Sequence, residues 1–328
     1  MKKILIVTVF VCIFVCSVTP VFAAGNVAKI GDTQYATLSE AITSAGTSQA
    51  TITLIDNVNL TGKISFPKGS NIVLDLNGKN LNVPTVENNY GIVVGGDLQI
   101  KGSGTVSLGM YGIGVQPTGN LVIESGTYKC LSGDYLLGSW GKATIKGGLF
   151  DGNYCIANGF DGGTVEILDG TFYTKEPTIV LGATTIYSGA FNQDVSDYLA
   201  DGIEMKLYNG VYFTGKVYKI VLNDVKNGSV DVVKEAIAEQ PVKIVAKANT
   251  GYEIGSIKVV DANGKTVDVS DSEFVMPNSD VTVSVTFSKM AMDDTPATGG
   301  MDFTLLISVI LLLVSLALIF TKKKVLNK

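Results

Sequence analysis

Between Leu98 and Phe191, apolar and polar positions alternate in short stretches that return about every 22 residues. The apolar pairs read Leu98/Ile100, Leu121/Ile123, Ala143/Ile145, Val165/Ile167 and Thr184/Ile186. Each pair is followed by a turn glycine: Gly104, Gly126, Gly148, Gly170 and Gly189, spaced 22, 22, 22 and 19 residues apart. Two residues after each glycine comes Val106, Tyr128, Phe150, Phe172 or Phe191. A period of two predicts strands with one buried face. A second strand precedes each of these and reads Tyr90-Gly91-Ile92, Tyr111-Gly112-Ile113, Tyr135-Leu136-Leu137 and Tyr154-Cys155-Ile156; a last copy, Pro177-Thr178-Ile179, lacks the Tyr. Fixed spacing at several stacked positions predicts the coils of a parallel β-helix, with an aliphatic ladder through its core. Thr51–Leu60 and Asn71–Gly78 read as less regular leading coils. A β-sandwich with coincidental spacing is the alternative.

The open ends of such a solenoid are sheet edges and need covers. Thr37–Ile42 predicts a capping helix, with Thr37 and Glu40 at capping-box spacing. Asp194–Asp201 predicts a short helix at the far end. From about Lys216 the period changes. Val217–Leu222, Val242–Ala246, Ile257–Val260 and Val281–Phe287 read as strands separated by Asn/Gly turns, and Val232–Glu239 as a strand or a short helix. The expected fold class is all-β: a right-handed parallel β-helix with a capping helix, a small β-sandwich-like or β-repeat domain, and a C-terminal transmembrane helix. The expected divisions are 1–24 (signal peptide), 25–215 (β-helix), 216–289 (β spacer), 290–298 (linker and sorting motif) and 299–328 (membrane anchor and basic tail).

The termini read as addresses. Met1-Lys2-Lys3 precedes an apolar run from Ile4 to Val18, and small residues close it at Ala23 and Ala24. This is the pattern of a secretory signal peptide cleaved after Ala23 or Ala24. Near the other end, Phe303–Phe320 is apolar and is followed by Lys322-Lys323-Lys324. Eighteen residues rise about 27 Å in a helix, enough to cross a bilayer core with the Lys cluster in the cytoplasm.

Thr295-Pro296-Ala297-Thr298-Gly299, placed just before that run, resembles the Leu-Pro-x-Thr-Gly sorting signal of Gram-positive surface proteins, with Thr295 in place of the Leu. The resemblance implies a sortase as partner. It would cut between Thr298 and Gly299 and join the Thr298 carboxyl covalently to peptidoglycan. A plain single-pass anchor is the alternative. Residues 27–215 resemble β-helical surface proteins of the same bacteria, through Ala28–Leu38, Leu74–Lys79, the Gly-Thr-Phe turns and Asp197–Gly202. Gly251-Tyr252-Glu253 and Phe274–Val281 resemble a bacterial repeat module found near the anchor of many wall proteins. Together the resemblances imply a secreted, cell-wall-anchored protein of adhesin-like type.

Composition narrows the chemistry. The chain has no His, and all 25 basic residues are Lys. Imidazole acid–base or metal chemistry is therefore excluded, and so is the guanidinium fork that reads phosphate or guanine. Residues 24–298 carry 19 Lys against 29 acids, so nucleic acid is not an expected partner. No metal, cofactor or catalytic residue is expected. Asp134, Asp151, Asp161, Glu166 and Asp169 fall at turns and occupy no common coil position. Asp161-Gly162-Gly163 lacks the spaced Asp ligands of a Ca²⁺ loop. Cys130 and Cys155 lie on adjacent coils but three positions apart, against disulfide formation. No Lys–Asn pair in the spacer is marked out for an isopeptide bond.

One surface feature points to binding. Trp140, the only Trp, and Phe160 occupy matching turns of successive coils. With Asn158 and Asp161 beside them, the two rings suit the apolar face and hydroxyls of a sugar, or a partner protein. Rings folded over their own turns are the plain alternative. The expected function is non-enzymatic adhesion or recognition at the cell surface. A polysaccharide-degrading surface enzyme and a passive stalk or coat are the competing readings.

Overall fold

The computed structural model describes residues 25–291 except 131, 132, 134, 154, 161 and 176–179; of Cys155, Asn158 and Val180 it describes the backbone only. The signal-peptide residues Ala23 and Ala24, the sorting motif Thr295–Gly299, the apolar run 303–320 and Asp161 lie outside the described residues. Among the described residues no helix is long and apolar enough to cross a membrane.

Alternation closes the first unit into a β-solenoid of about six turns. Each turn contributes one strand to each of three sheets, and the strands pair in parallel with those of the next turn. The first sheet stacks Leu98, Leu121, Ala143, Val165 and Thr184 in strict register, and Ile100, Ile123, Ile145, Ile167 and Ile186 beside them. These side chains are buried, so the aliphatic ladder read from the spacing is the core. The second sheet stacks Leu81, Val106, Tyr128, Phe150, Phe172 and Phe191. Its four rings stack nearly parallel with centroids 5.0, 4.8 and 4.8 Å apart. The turn glycines make that stack feasible. Gly148 has φ +117, and a Cβ there would stand 3.0 Å from the Gly126 carbonyl oxygen and 3.3 Å from the Phe150 ring.

The third sheet corrects the sequence alignment by one residue. Tyr135 pairs with Cys155, not Tyr154, and Leu137 pairs with Ala157, not Ile156. The reason lies at the corner after this strand: the Trp140 N–H donates to the Val115 carbonyl and the Phe160 N–H to the Ser139 carbonyl. Counting back from these stacked corners fixes the register. Cys130 stands opposite Gly152 in the second sheet while Cys155 lies in the third, and the buried Cys130 thiol donates to the Gly109 carbonyl at 2.9 Å.

The N-terminal end is covered as expected. Helix Leu38–Ala45 begins at Thr37, whose side chain accepts from the Glu40 N–H while Glu40 reaches back to the Thr37 N–H. Leu38, Ala41, Ile42 and Ala45 are buried against the first coil. The far end meets the expectation in part. Asp194–Asp201 holds a single 3-10 turn, Ser196–Tyr198, with Val195 buried in the core and Tyr198 and Leu199 packed against it. An antiparallel hairpin, Glu204–Tyr208 and Val211–Gly215, adds itself to Gly189–Phe191 and ends the second sheet. Antiparallel strands need only a two-residue turn, which Asn209-Gly210 supplies in the left-handed region.

The chain divides into two compact units. The described part of the first lies within 25–223, 231–245 and 258–284; that of the second comprises 224–230, 246–257 and 285–291. In the first, Val217–Leu222 pairs antiparallel with Glu235–Ile237 and in parallel with Val281–Val283, so the undecided 232–239 segment contains a strand. Phe274 and Met276 are buried and Val275 between them is half-exposed. In the second, the Phe287 ring fills the space a side chain would take at Gly228, and the Met290 N–H donates to the Gly251 carbonyl.

Candidate functional site

The first sheet presents mostly polar columns outward. One column runs Asp75, Lys101, Glu124, Lys146, with Lys146–Glu124 at 2.9 Å and Lys101–Asp75 at 3.9 Å. On the second sheet Asn82 donates to Asn59 at 2.6 Å. Such exposed pairs contribute little to stability but leave few unsatisfied groups. Among the described residues the turn acids Asp151, Glu166 and Asp169 do not gather, and Asp134 and Asp161 lie outside them. Glu166 pairs with Lys142 at 3.4 Å, Asp151 faces outward on the second sheet, and Asp169 accepts from the Gly170 N–H at 2.7 Å.

The third sheet is different. Trp140 and Phe160, each half-buried, stack face to face with centroids 4.3 Å apart and planes within 8°. The sequence pairing of these two rings is therefore realised. Asn158 lies on the strand leading to Phe160, opposite Gly138. Three tyrosines extend the cluster. Tyr90 meets Trp140 edge to face at 5.7 Å, Tyr111 stacks on Tyr135 at 6.4 Å, and Tyr135 meets Phe160 at 5.8 Å. Tyr90 also contacts Tyr111 at 5.8 Å. Five rings from four consecutive coils thus form one patch, and every one of them keeps part of its surface exposed.

Sequence reasoning missed Tyr90. The spacing puts Tyr90 in a strand, whereas the strand begins at Ile92 and Tyr90 closes the connection from Asn82. Its ring lies across the next two coils because both carry glycine at the outward position. A Cβ at Gly114 would be 2.6 Å from the Tyr90 ring, and one at Gly138 would overlap the Tyr90 hydroxyl and stand 2.9 Å from Phe160. The paired glycines, in register at Gly114 and Gly138, are the signal that could have revealed it. Beside the rings, a depression of about 280 Å³ is lined by Asn88, Asn89, Tyr90 and Tyr111. A second cleft, of about 330 Å³, lies along the glycine turns and is lined by Gly148, Gly170, Gly189, Phe213, Asp169 and Glu239. Among the described residues no group of three or more acidic or Cys side chains is placed to hold a metal.

A family model described as a divergent InlB B-repeat domain matches residues 218–291. That match agrees with the bacterial-repeat β module that the resemblance of Gly251-Tyr252-Glu253 and Phe274–Val281 implied. No curated protein matches the chain, and no solved structure does. A bacterial surface-repeat module beside a β-solenoid is compatible with a surface protein of adhesive or structural type.

Proposed function

We propose that this chain is exported, anchored to peptidoglycan by a sortase through Thr298, and recognises a ligand without catalysis through the aromatic patch of its third sheet. The observation that carries the recognition is the patch itself. Five partly exposed rings, with Trp140 and Phe160 at its centre, gather on a solenoid whose first sheet is polar and ion-paired. A contiguous patch of partly exposed rings is the kind of surface that serves as a contact site. Rings offer large rigid area at small entropic cost, and the tyrosine hydroxyls add directional bonds.

The full chain, purified in a mild detergent, would be passed over immobilised glycans, mucins and matrix proteins, with bound and cleaved material both measured. Retention without cleavage is expected, and Trp140→Ala should lower retention about tenfold or more, the weight of one lost stacking contact with its buried area. Retention undiminished by Trp140→Ala would sink the patch as the contact surface. Anchoring is tested separately. Thr298→Ala should leave the protein extractable by detergent, whereas the parent should need wall-digesting enzyme for release.

A polysaccharide-degrading enzyme is the second reading. The cleft at the glycine turns favours it, because Asp169 and Glu239 both line that cleft. Two carboxylates across a sugar are what glycoside hydrolysis needs. Cleavage products in the same panel, abolished by Asp169→Asn, would establish it.

A further inference from the structure

We propose that the depression lined by Asn88, Asn89, Tyr90 and Tyr111 is the subsite for the terminal sugar of a neutral glycan, the next unit lying against Trp140 and Phe160; this rests on the recognition reading above.

The depression is a construction of one unusual connection. In the second coil nine residues, 83–91, join the strand ending at Asn82 to the one starting at Ile92, whereas three, 108–110, do so in the next coil. The long connection is tied down along its length. The Val83 N–H donates to the Ser107 carbonyl at 2.8 Å, the Met110 N–H to the Thr85 hydroxyl at 3.2 Å, and the Gly91 N–H to the Tyr111 carbonyl at 2.9 Å. Gly109 lets the Thr85 backbone approach where any side chain would overlap it. A turn closed by the Asn89 N–H on the Val86 carbonyl holds Asn88 in the left-handed region, φ 53. Two carboxamides are thereby presented at the rim of the tyrosine pair on a fixed backbone. Preorganised polar groups lose little entropy on binding.

The chemistry of the lining selects the ligand. Each carboxamide offers donors and an acceptor, which match neighbouring hydroxyls that both give and receive hydrogen bonds. The Tyr90 and Tyr111 rings offer the apolar surface that a sugar's C–H face covers. The four described lining side chains are uncharged, so among the described residues of the lining neither an acidic nor a basic sugar finds a counter-charge. The volume, about 280 Å³, suits a single ring better than a chain. Continuity supplies the second subsite: Tyr90 touches Trp140, and Trp140 stacks on Phe160, so one apolar surface runs out of the depression.

Trp140 is the only tryptophan, so its emission reports on the patch directly. The full chain in mild detergent would be titrated with cellotetraose, chitotetraose and mannotetraose, and with tetragalacturonate as the anionic comparator. A saturable change in Trp140 emission is expected with at least one neutral tetrasaccharide and not with tetragalacturonate. Asn88→Gly, which keeps the left-handed backbone, and Asn89→Ala should each weaken that binding by about tenfold, the effect of one or two lost hydrogen bonds. Trp140→Ala is followed by calorimetry. Neutral binding lost in Trp140→Ala but unchanged in both Asn variants would overturn the subsite and leave the recognition reading standing. Equal or tighter binding of tetragalacturonate would overturn the neutral class. If no saccharide binds while an immobilised protein is retained, the glycan assignment falls and recognition survives. If nothing is retained, both fall.

Discussion

Phe150→Ala is expected to unfold part of the solenoid at temperatures where the parent chain stays folded. Phe150 is fully buried and sits between Tyr128 at 5.0 Å and Phe172 at 4.8 Å. Removing a buried ring costs about 3–5 kcal/mol in transfer and cavity terms. Two ring–ring contacts add about 0.5–1.5 kcal/mol each. Against a total stability of about 5–15 kcal/mol, that is a large share. The loss also has a location. In the buried ring stack each ring packs on the rings of the adjacent coils, so a hole at Phe150 uncouples the coils on either side. Hydrogen exchange should therefore show amides beyond Asp151 exchanging sooner than those before Gly126, alongside a lowered melting temperature. Leu149→Ala, one residue away but pointing outward and 38% exposed, is the control and should shift stability by no more than about 0.5 kcal/mol. Equal effects from the two substitutions would refute the ring stack as the stabilising element.

Tyr128→Phe should change how the protein responds to alkali. Tyr128 is the one hydroxylated ring in the buried stack, and its hydroxyl donates to the Ser125 carbonyl at 3.0 Å. Burial pushes its ionisation far above the ordinary value near 10, because the phenolate would lose its hydration. The direction of the linkage follows. The folded protein keeps this proton while the unfolded chain releases it above about pH 10. The stability tied to the neutral phenol is thus complete below that pH. It is lost as pH rises further, by roughly 1.4 kcal/mol per unit. At neutral pH Tyr128→Phe should cost about 1 kcal/mol for the lost hydrogen bond. Two units above the ordinary tyrosine value, the parent should have lost about 2.7 kcal/mol that the variant keeps, so their order of stability reverses. Urea unfolding across that range checks this. Parallel pH curves for the two proteins would contradict it.

What the sequence reveals follows from what backbone pairing dictates. Gly104, Gly126, Gly148 and Gly170 all have positive φ at one corner, and every inward pair of the first sheet lands in register because parallel ladders admit no slip without turning a face inside out. The Trp140–Phe160 stack was legible for the same reason: equivalent corners must lie one coil apart. Tyr90 was not, because its position depends on side-chain reach over Gly114 and Gly138 from a different coil, and no spacing rule encodes that. The one-residue error at Tyr154 has a similar origin, since Tyr at the start of a strand is a weaker register mark than the corner that ends it. The far-end cover was legible in part: Val195 joins the core and Tyr198 and Leu199 pack against it around a short 3-10 turn, whereas the hairpin that satisfies the strand edge of Gly189–Phe191 left no mark in the helical spacing.

The hydrogen bonds that join successive coils, such as the Thr127 N–H to the Gly104 carbonyl and the Leu149 N–H to the Gly126 carbonyl, all run along the solenoid axis. Tension applied along that axis loads them a coil at a time and not all together. A coil that peels away converts a rise of about 4.8 Å into roughly 70 Å of extended chain. The solenoid is therefore a shock absorber by construction: it yields in steps of one coil, and the buried ring stack sets the force at which the coils carrying those rings let go.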